Sequence, residues 1–321
     1  MSDALRVVAA LKTPTEALTG GRAEIPGRRP AVLRYPGSKW SLAGKIVENF
    51  RDHAHYVEPF FGSGAVFFNK PPVAHEVLND SNGSIVNLFR MLRDRTDDLC
   101  WLLETTPWSR EEYDQSDVLT GDQLEDARRF VVRCWQAHAS DLAKKTGWKS
   151  RGAQQRAGGM SHRWLKVPEQ LRELAWRLGD AEIEHRDAVE VITRHASVDC
   201  LIYADPPYPH SVRTQHMYGF EMTDTDHERL LKVLVQHPGQ VVVSGYATPL
   251  YDDALAGWDR VTLKPPKVEK AAVRTEVLWV KPQARRARVT PATRLAKPRG
   301  STRVPAAAAS PAEASPTRRQ G

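Results

Sequence analysis

Apolar and polar positions alternate along this chain in two rhythms. Short apolar runs recur at Tyr56-Val57, Val77-Leu78, Cys200-Leu201-Ile202-Tyr203-Ala204, Val241-Val242-Val243 and, late in the chain, over Val273–Val280. Each stops at a polar or turn-forming residue, the mark of a buried strand. Glu182-Ile183-Glu184-His185 reads as a further strand. Between these runs, apolar residues fall three and four apart: Leu42, Ile46, Val47 and Phe50; Ile85–Leu92; Phe130-Val131-Cys134-Trp135; Ala188–Arg194; and Thr225–Gln236. That spacing predicts helices, the last capped at Thr223 or Asp224. An apolar helix is also expected just after Gly64. Strands alternating with helices predict an α/β fold on an open sheet.

The two ends lack either rhythm. Residues 1–30, with Pro14, Pro26 and Pro30, read as a loose leader with a short helix near Ala4–Leu11. Residues 283–321 are Ala-, Pro- and Arg-rich and predict disorder. The tail also changes the meaning of the charge. The chain carries +7, but Pro282–Gly321 holds nine Lys/Arg against Glu313 alone, so the remainder is −1. The basic balance is therefore mostly a property of the tail. No apolar run has the length of a membrane span, and no signal-peptide pattern opens the chain. Cys100, Cys134 and Cys200 are too scattered for a metal site or a disulfide framework and fit a reducing, cytoplasmic setting.

Chemistry gathers where the strands stop. Proline has no N–H for a strand ladder, so the run through Ala204 ends at Asp205-Pro206-Pro207-Tyr208. In open α/β sheets ligands bind beyond the carboxyl ends of strands. A planar exocyclic amine needs two acceptors, which the Asp205 carboxylate and the Pro206 carbonyl offer, and the ring of Tyr208 can stack on a flat partner. On this reading stacking needs only the ring. A plain strand-ending turn would carry the same letters. After the first strand comes Glu58-Pro59-Phe60-Phe61-Gly62-Ser63-Gly64, whose glycines allow close backbone approach, though a lone Gly-x-Gly is a weak sign. Asp80 ends the second strand close to the expected separation from Gly62 for an acid that grips ribose hydroxyls; it could equally cap the following helix. Tyr35-Pro36-Gly37-Ser38-Lys39 is a turn before a helix, with a lysine that can hold a carboxylate.

Residues 94–126 hold eleven acids against Arg95 and Arg110, whereas residues 128–166 hold ten Lys/Arg against Asp141. Lys144, Lys145, Lys149, Arg151 and Arg156 lie among glycines, without a helical face to decorate, in a loop Lys144–His162. That pattern suits phosphate contacts in a nucleic acid.

In type and order these motifs resemble the Dam-like DNA adenine-N6 methyltransferases, over roughly Leu33 to Pro282. The resemblance implies S-adenosylmethionine as cofactor and a seven-stranded Rossmann-like methyltransferase sheet. It places Tyr35, Lys39, Glu58, Phe60, Gly62, Gly64, Asp80 and Asp205 on cofactor-binding positions, and Asp205, Pro206 and Tyr208 on the catalytic motif. It also implies a catalytic domain from 31–93 and 182–282, interrupted by a mostly helical target-recognition region at 94–181. The expected substrate is adenine N6 in double-stranded DNA, reached by base flipping, with no metal. An amine of cytosine, of RNA adenine or of protein glutamine, or an inactive DNA-binding relative, remains the alternative.

Overall fold

Strand ends in this chain are set by prolines and by acidic residues. In the computed structural model, β1 (His55–Glu58) stops before Pro59 and β4 (Cys200–Ala204) stops before Asp205 and its two prolines. The structure describes residues 31, 33–138, 145–150, 160–209, 221–263, 267–269, 272–274 and 276–282. The leader, the tail, and Lys144, Arg151 and Arg156 of the loop lie outside the described residues.

The remaining strands are β2 (His75–Asn79), β3 (Glu182–Glu184), β5 (Gln240–Tyr246), β6 (Asp259–Thr262), β7 (Lys267–Glu269), β8 (Ala272–Arg274) and β9 (Glu276–Val280). Seven of them form one sheet in the order β3-β2-β1-β4-β5-β9-β6. The first five of that order are parallel, and β9 runs antiparallel between β5 and β6. The order reverses direction between β1 and β4, which opens a crevice at their carboxyl ends. The expected late strand over Val273–Val280 is two strands. β8 turns back on β7 as a hairpin, and β9 alone enters the sheet.

Successive strand residues face opposite sides, and the core divides accordingly. Tyr56, Leu78, Leu201, Tyr203 and Val242 face one cluster; Val57, Val77, Ile202, Val241 and Val243 face the other. On the first side lie α1 (Ala43–Val47) and α2 (Gly83–Asp94), followed by α3 (Thr96–Thr105), α4 (Arg110–Gln115), α5 (Gln123–Gln136), α6 (Met160–Trp164) and α7 (Val167–Ala175). Leu99, Phe130, Val131 and Leu171 of the inserted helices share one apolar cluster with Phe89 of α2. On the second side are α8 (Ala188–Arg194), α9 (Asp224–Gln236) and α10 (Pro249–Ala254), contributing Val191, Leu230 and Tyr251. Thr223 caps α9 in a reciprocal box with Asp226, which satisfies N–H groups the first turn leaves open.

The helix expected after Gly64 does not form. Only a single 3-10 turn, Phe67–Asn69, follows the glycine loop, and Lys70 is already extended. Pro71 explains this, because a residue before proline is pushed out of the helical region.

Candidate active site

Asp205 sits one residue beyond β4, and both of its carboxylate oxygens are held. Ser244 near the end of β5 donates its hydroxyl to Oδ1 at 2.7 Å, and Lys39 donates to Oδ2 at 2.7 Å. The parallel register sets Ala204 against Val243, which brings Ser244 level with Asp205. Tyr203 Oη lies 2.9 Å from Ser244 Oγ, so a buried phenol steadies the serine. Burial pushes the Asp205 carboxyl above the usual carboxylate range; Lys39 and Ser244 pull it down, and Glu276 pushes it up.

Lys39 joins three parts of the site. Beyond Asp205, its ammonium reaches the Gly37 carbonyl at 2.8 Å, the Tyr208 hydroxyl at 2.9 Å and Glu276 Oε1 at 3.5 Å. It lines the cleft and is also bound to Asp205 and Tyr208.

A cleft opens at the β1/β4 crevice, beyond the carboxyl ends of the strands. Tyr35, Lys39, Glu58, Phe60, Gly62, Asp80 and Asp205, all expected from sequence, line it. Asp80 accepts from Gly62 N–H at 2.8 Å through Oδ2 and from Asn82 N–H at 2.8 Å through Oδ1. It thus ties the glycine loop to the start of α2, whose cap is Asn82 and not Asp80. Burial raises the Asp80 carboxyl to about 6 against these two donors. Glu58 rises to about 8, also by burial, while the Tyr56 hydroxyl donates to it at 2.7 Å. A carboxyl so raised is largely neutral at pH 7.

Gly64 stands apart from the other residues expected to bind the cofactor. It does not line the cleft. A Cβ there would come within 2.6 Å of Phe68 and 2.7 Å of Phe61, and φ is +68°. The glycine is needed for packing inside the loop. Gly62, with φ +51°, faces the Tyr35 ring and does line the cleft.

The Asp205-Pro206-Pro207-Tyr208 motif divides. Asp205 and Pro207 line the cleft, whereas Pro206 and Tyr208 are buried. The Tyr208 ring packs at 4.3 Å on Tyr246, and its hydroxyl is bonded to Lys39 and, at 3.3 Å, to Glu276. The hydroxyl thus belongs to the same network as Asp205, which the expectation of a ring that only stacks did not include.

Of the expected DNA-contacting residues, Lys145 and Lys149 are described. Lys145 pairs with Asp117 at 2.8 Å and reaches the Asp114 carbonyl. Arg128 likewise pairs with Glu112 and Glu125, and Arg129 with Glu125. The acidic and basic blocks of the insert thus neutralise each other in part, and Lys145 is an internal partner. Lys149 differs. Its backbone is pinned by Gln136 and Trp108, and its pKa is lowered by burial and by the nearby Arg34 and Arg163.

Sequence reasoning missed Ser244, Tyr203, Tyr246 and Glu276. A signal existed for two of them: a serine at the polar end of an apolar strand, and an acid opening the run Val277–Val280.

An α/β sheet with a cleft at its switch point, and a carboxylate bound to a lysine at that cleft, places the site where ligands bind in open α/β sheets. The chain belongs to the D12 class N6 adenine-specific DNA methyltransferases, whose family model matches residues 35–266. A DNA adenine methylase of Vibrio cholerae is 27% identical over 191 residues, 56% of this chain and 66% of that protein, just under two thirds of its length. One from Salmonella typhi is 25% identical over 235 residues, 68% of this chain and 82% of its own. The Escherichia coli DNA adenine methylase is 32% identical over 68 residues, 21% of this chain and 24% of its own.

Proposed function

We propose that this chain transfers a methyl group from S-adenosylmethionine to N6 of adenine in double-stranded DNA. The observation that carries the reading is Asp205, fixed at both oxygens at the rim of the cleft. The donor set fits the cofactor: Asp80 suits a hydroxyl pair, Phe60 and Phe61 suit a flat apolar group, and the turn at Gly37-Ser38 supplies polar backbone. Bound there, S-adenosylmethionine supplies a methyl carbon activated by a sulfonium.

The protein's part is to position the amine and manage its proton. Asp205 accepts from N6 and so turns the nitrogen lone pair toward the cleft; the Pro206 carbonyl is the second acceptor on this reading. Its raised pKa makes Asp205 a better proton acceptor than an ordinary carboxylate. The rest is orientation and electrostatics. The adenine must leave the duplex to reach the cleft. Cys200 is buried within β4 and its thiol is pushed up to about 12 by burial, so it does not serve the thiolate chemistry of cytosine-C5 transfer.

The test is methyl transfer to duplex DNA followed by nucleoside mass spectrometry. N6-methyladenine that disappears in Asp205→Ala supports the reading. N4-methylcytosine, or labelled RNA or protein instead of DNA, would replace it.

A further inference from the structure

Glu276 is a buried acid, 8% exposed, that opens β9 and stands opposite Tyr246 of β5 in the antiparallel register. It lies in none of the motifs that define the cleft. Its Oε1 is 3.5 Å from Lys39 Nζ and 3.3 Å from the Tyr208 hydroxyl. Lys39 is thus flanked by two carboxylates, bonded to Asp205 at 2.7 Å and just short of a bond to Glu276.

This arrangement poses a problem for the reaction. N6 must find an acceptor on Asp205 and then shed a proton, yet an ammonium already bonded to that carboxylate lowers its basicity. A carboxylate oxygen has room for a second donor, but a cation bonded there opposes uptake of a proton. We propose that Glu276 is a positioning residue that receives Lys39 from Asp205 when the substrate amine enters, leaving Asp205 to accept from N6. This rests on the assignment of Asp205 as the acceptor. A move of less than an ångström brings the 3.5 Å contact to hydrogen-bond length. The Lys39 contacts to Gly37 and Tyr208 can persist through so small a shift. Ser244, on the other oxygen, holds Asp205 in place while Lys39 moves. When the product leaves, Asp205 passes the proton taken from N6 to water, Lys39 returns and the carboxylate is again paired.

The electrostatic surroundings make the idea testable by pH. Asp205 is faced by Lys39, Glu276, Glu58 and the phenols of Tyr203, Tyr208 and Tyr251. Glu276 raises the Asp205 pKa, so removing its charge lowers it. Loss of the handoff slows the chemical step, while loss of the charge makes Asp205 easier to ionise. A residue that served only packing would do neither in this combination.

The experiment compares the full chain with Glu276→Gln, Glu276→Asp and Asp205→Asn, using S-adenosylmethionine and plasmid DNA that the wild type methylates. Single-turnover rates are measured across pH, with thermal unfolding and calorimetric cofactor binding as controls. The expected result for Glu276→Gln is a rate lower by about tenfold or more, with little change in the KM for DNA, the pattern of an interaction made in the transition state. Its acid limb moves to lower pH. Glu276→Asp, which retains the charge on a shorter arm, recovers part of the rate and keeps the limb in place. A wild-type rate in Glu276→Gln, an unmoved limb, or failure of both Glu276 variants to fold overturns the handoff. Activity in Asp205→Asn, whose amide oxygen still accepts a hydrogen bond but takes up no proton, instead overturns proton uptake by Asp205, the assignment beneath the handoff, so the two failures are distinct.

Discussion

Ser244 Oγ stands 2.7 Å from Asp205 Oδ1, joining the end of β5 to the first residue beyond β4. The bond crosses the sheet at its carboxyl edge, where adjacent parallel strands bring level residues into reach. Its donor is fully buried and is backed by Tyr203. A hydrogen bond to a charged acceptor contributes about 1.5–3 kcal/mol. Ser244→Ala should therefore cost roughly 10- to 100-fold in kcat. Because the serine pulls the Asp205 pKa down, its loss moves the acid limb of activity to higher pH, opposite in sign to Glu276→Gln. A pH–rate profile with an unmoved limb would falsify the positioning role of Ser244.

Tyr208 presents a ring packed on Tyr246 and a hydroxyl shared by Lys39 and Glu276. Removing only the hydroxyl leaves Lys39 with one acceptor fewer in a buried site. Tyr208→Phe is expected to lose about tenfold in kcat, and Tyr208→Ala more, since the ring packed on Tyr246 goes as well. Steady-state kinetics of both variants check this. Full activity in Tyr208→Phe would return the residue to a purely stacking role.

The sheet was legible in the sequence because its signal is local. The five-residue apolar run ending at Asp205-Pro206 fixes both the strand and its stop, and β4 ends at Ala204. The cleft was legible for the same reason: Asp80 and Asp205 directly follow a strand and Gly62 lies in the loop after β1, and strand ends meet at a switch point. Glu276 and Ser244 were not legible as site residues. Their place depends on β9 entering the sheet antiparallel beside β5, a long-range pairing that no local pattern reports. Lys145 misled for a related reason: its partner Asp117 is 28 residues away, and charge counts along the chain do not show which blocks pair.

Far from the cleft, at the opposite ends of the strands, His55, His75 and His195 pack together. The rings of His55 and His75 stack at 4.2 Å, and His195 meets His55 at 5.0 Å. Burial, then the neighbouring histidines, lower His55 to about 4, with Glu182 opposing and His237 adding to the shift. His195 and His237 are lowered as well. The unfolded chain takes up these protons near 6.5, whereas the folded His55 resists until about 4. Stability from this group is thus complete above about pH 6.5 and is lost as pH falls toward 4. Thermal unfolding between pH 7.5 and 4.5 should show a falling Tm, and His55→Gln should flatten it. An equally steep fall in the variant would assign the acid sensitivity elsewhere.

Gly64→Ala tests the packing role of the second loop glycine. The added Cβ would sit 2.6 Å from Phe68 and 2.7 Å from Phe61 at a positive φ, so both sterics and backbone oppose it. Overpacking of this kind costs about 1–3 kcal/mol. Phe61 lines the cleft, so cofactor affinity should fall along with Tm. Weaker cofactor binding at an unchanged Tm would instead place Gly64 against the ligand.

Lys149 and Lys145 separate the two fates of the basic block. Burial and the cations Arg34 and Arg163 disfavour the charge on Lys149, and Arg34 is itself lowered by burial and by Arg163. Like charges gathered in this way are relieved by a phosphate, and Arg34 immediately precedes Tyr35 at the cleft. Phosphate contacts position a protein on the duplex without reading sequence. Lys149→Ala should therefore weaken binding to all duplexes alike and reduce the salt slope by about 1, leaving cofactor affinity and the methylated sequence unchanged. Lys145→Ala should leave DNA affinity nearly intact, because its ammonium already answers Asp117 and the Asp114 carbonyl. Fluorescence anisotropy with a duplex oligonucleotide at several salt concentrations distinguishes the two. If Lys145→Ala flattened the slope and Lys149→Ala did not, the DNA-facing side of the insert would have to be moved to the α4–α5 edge. If Lys149→Ala changed which sequence is methylated, it would be a reader of bases and not of phosphate.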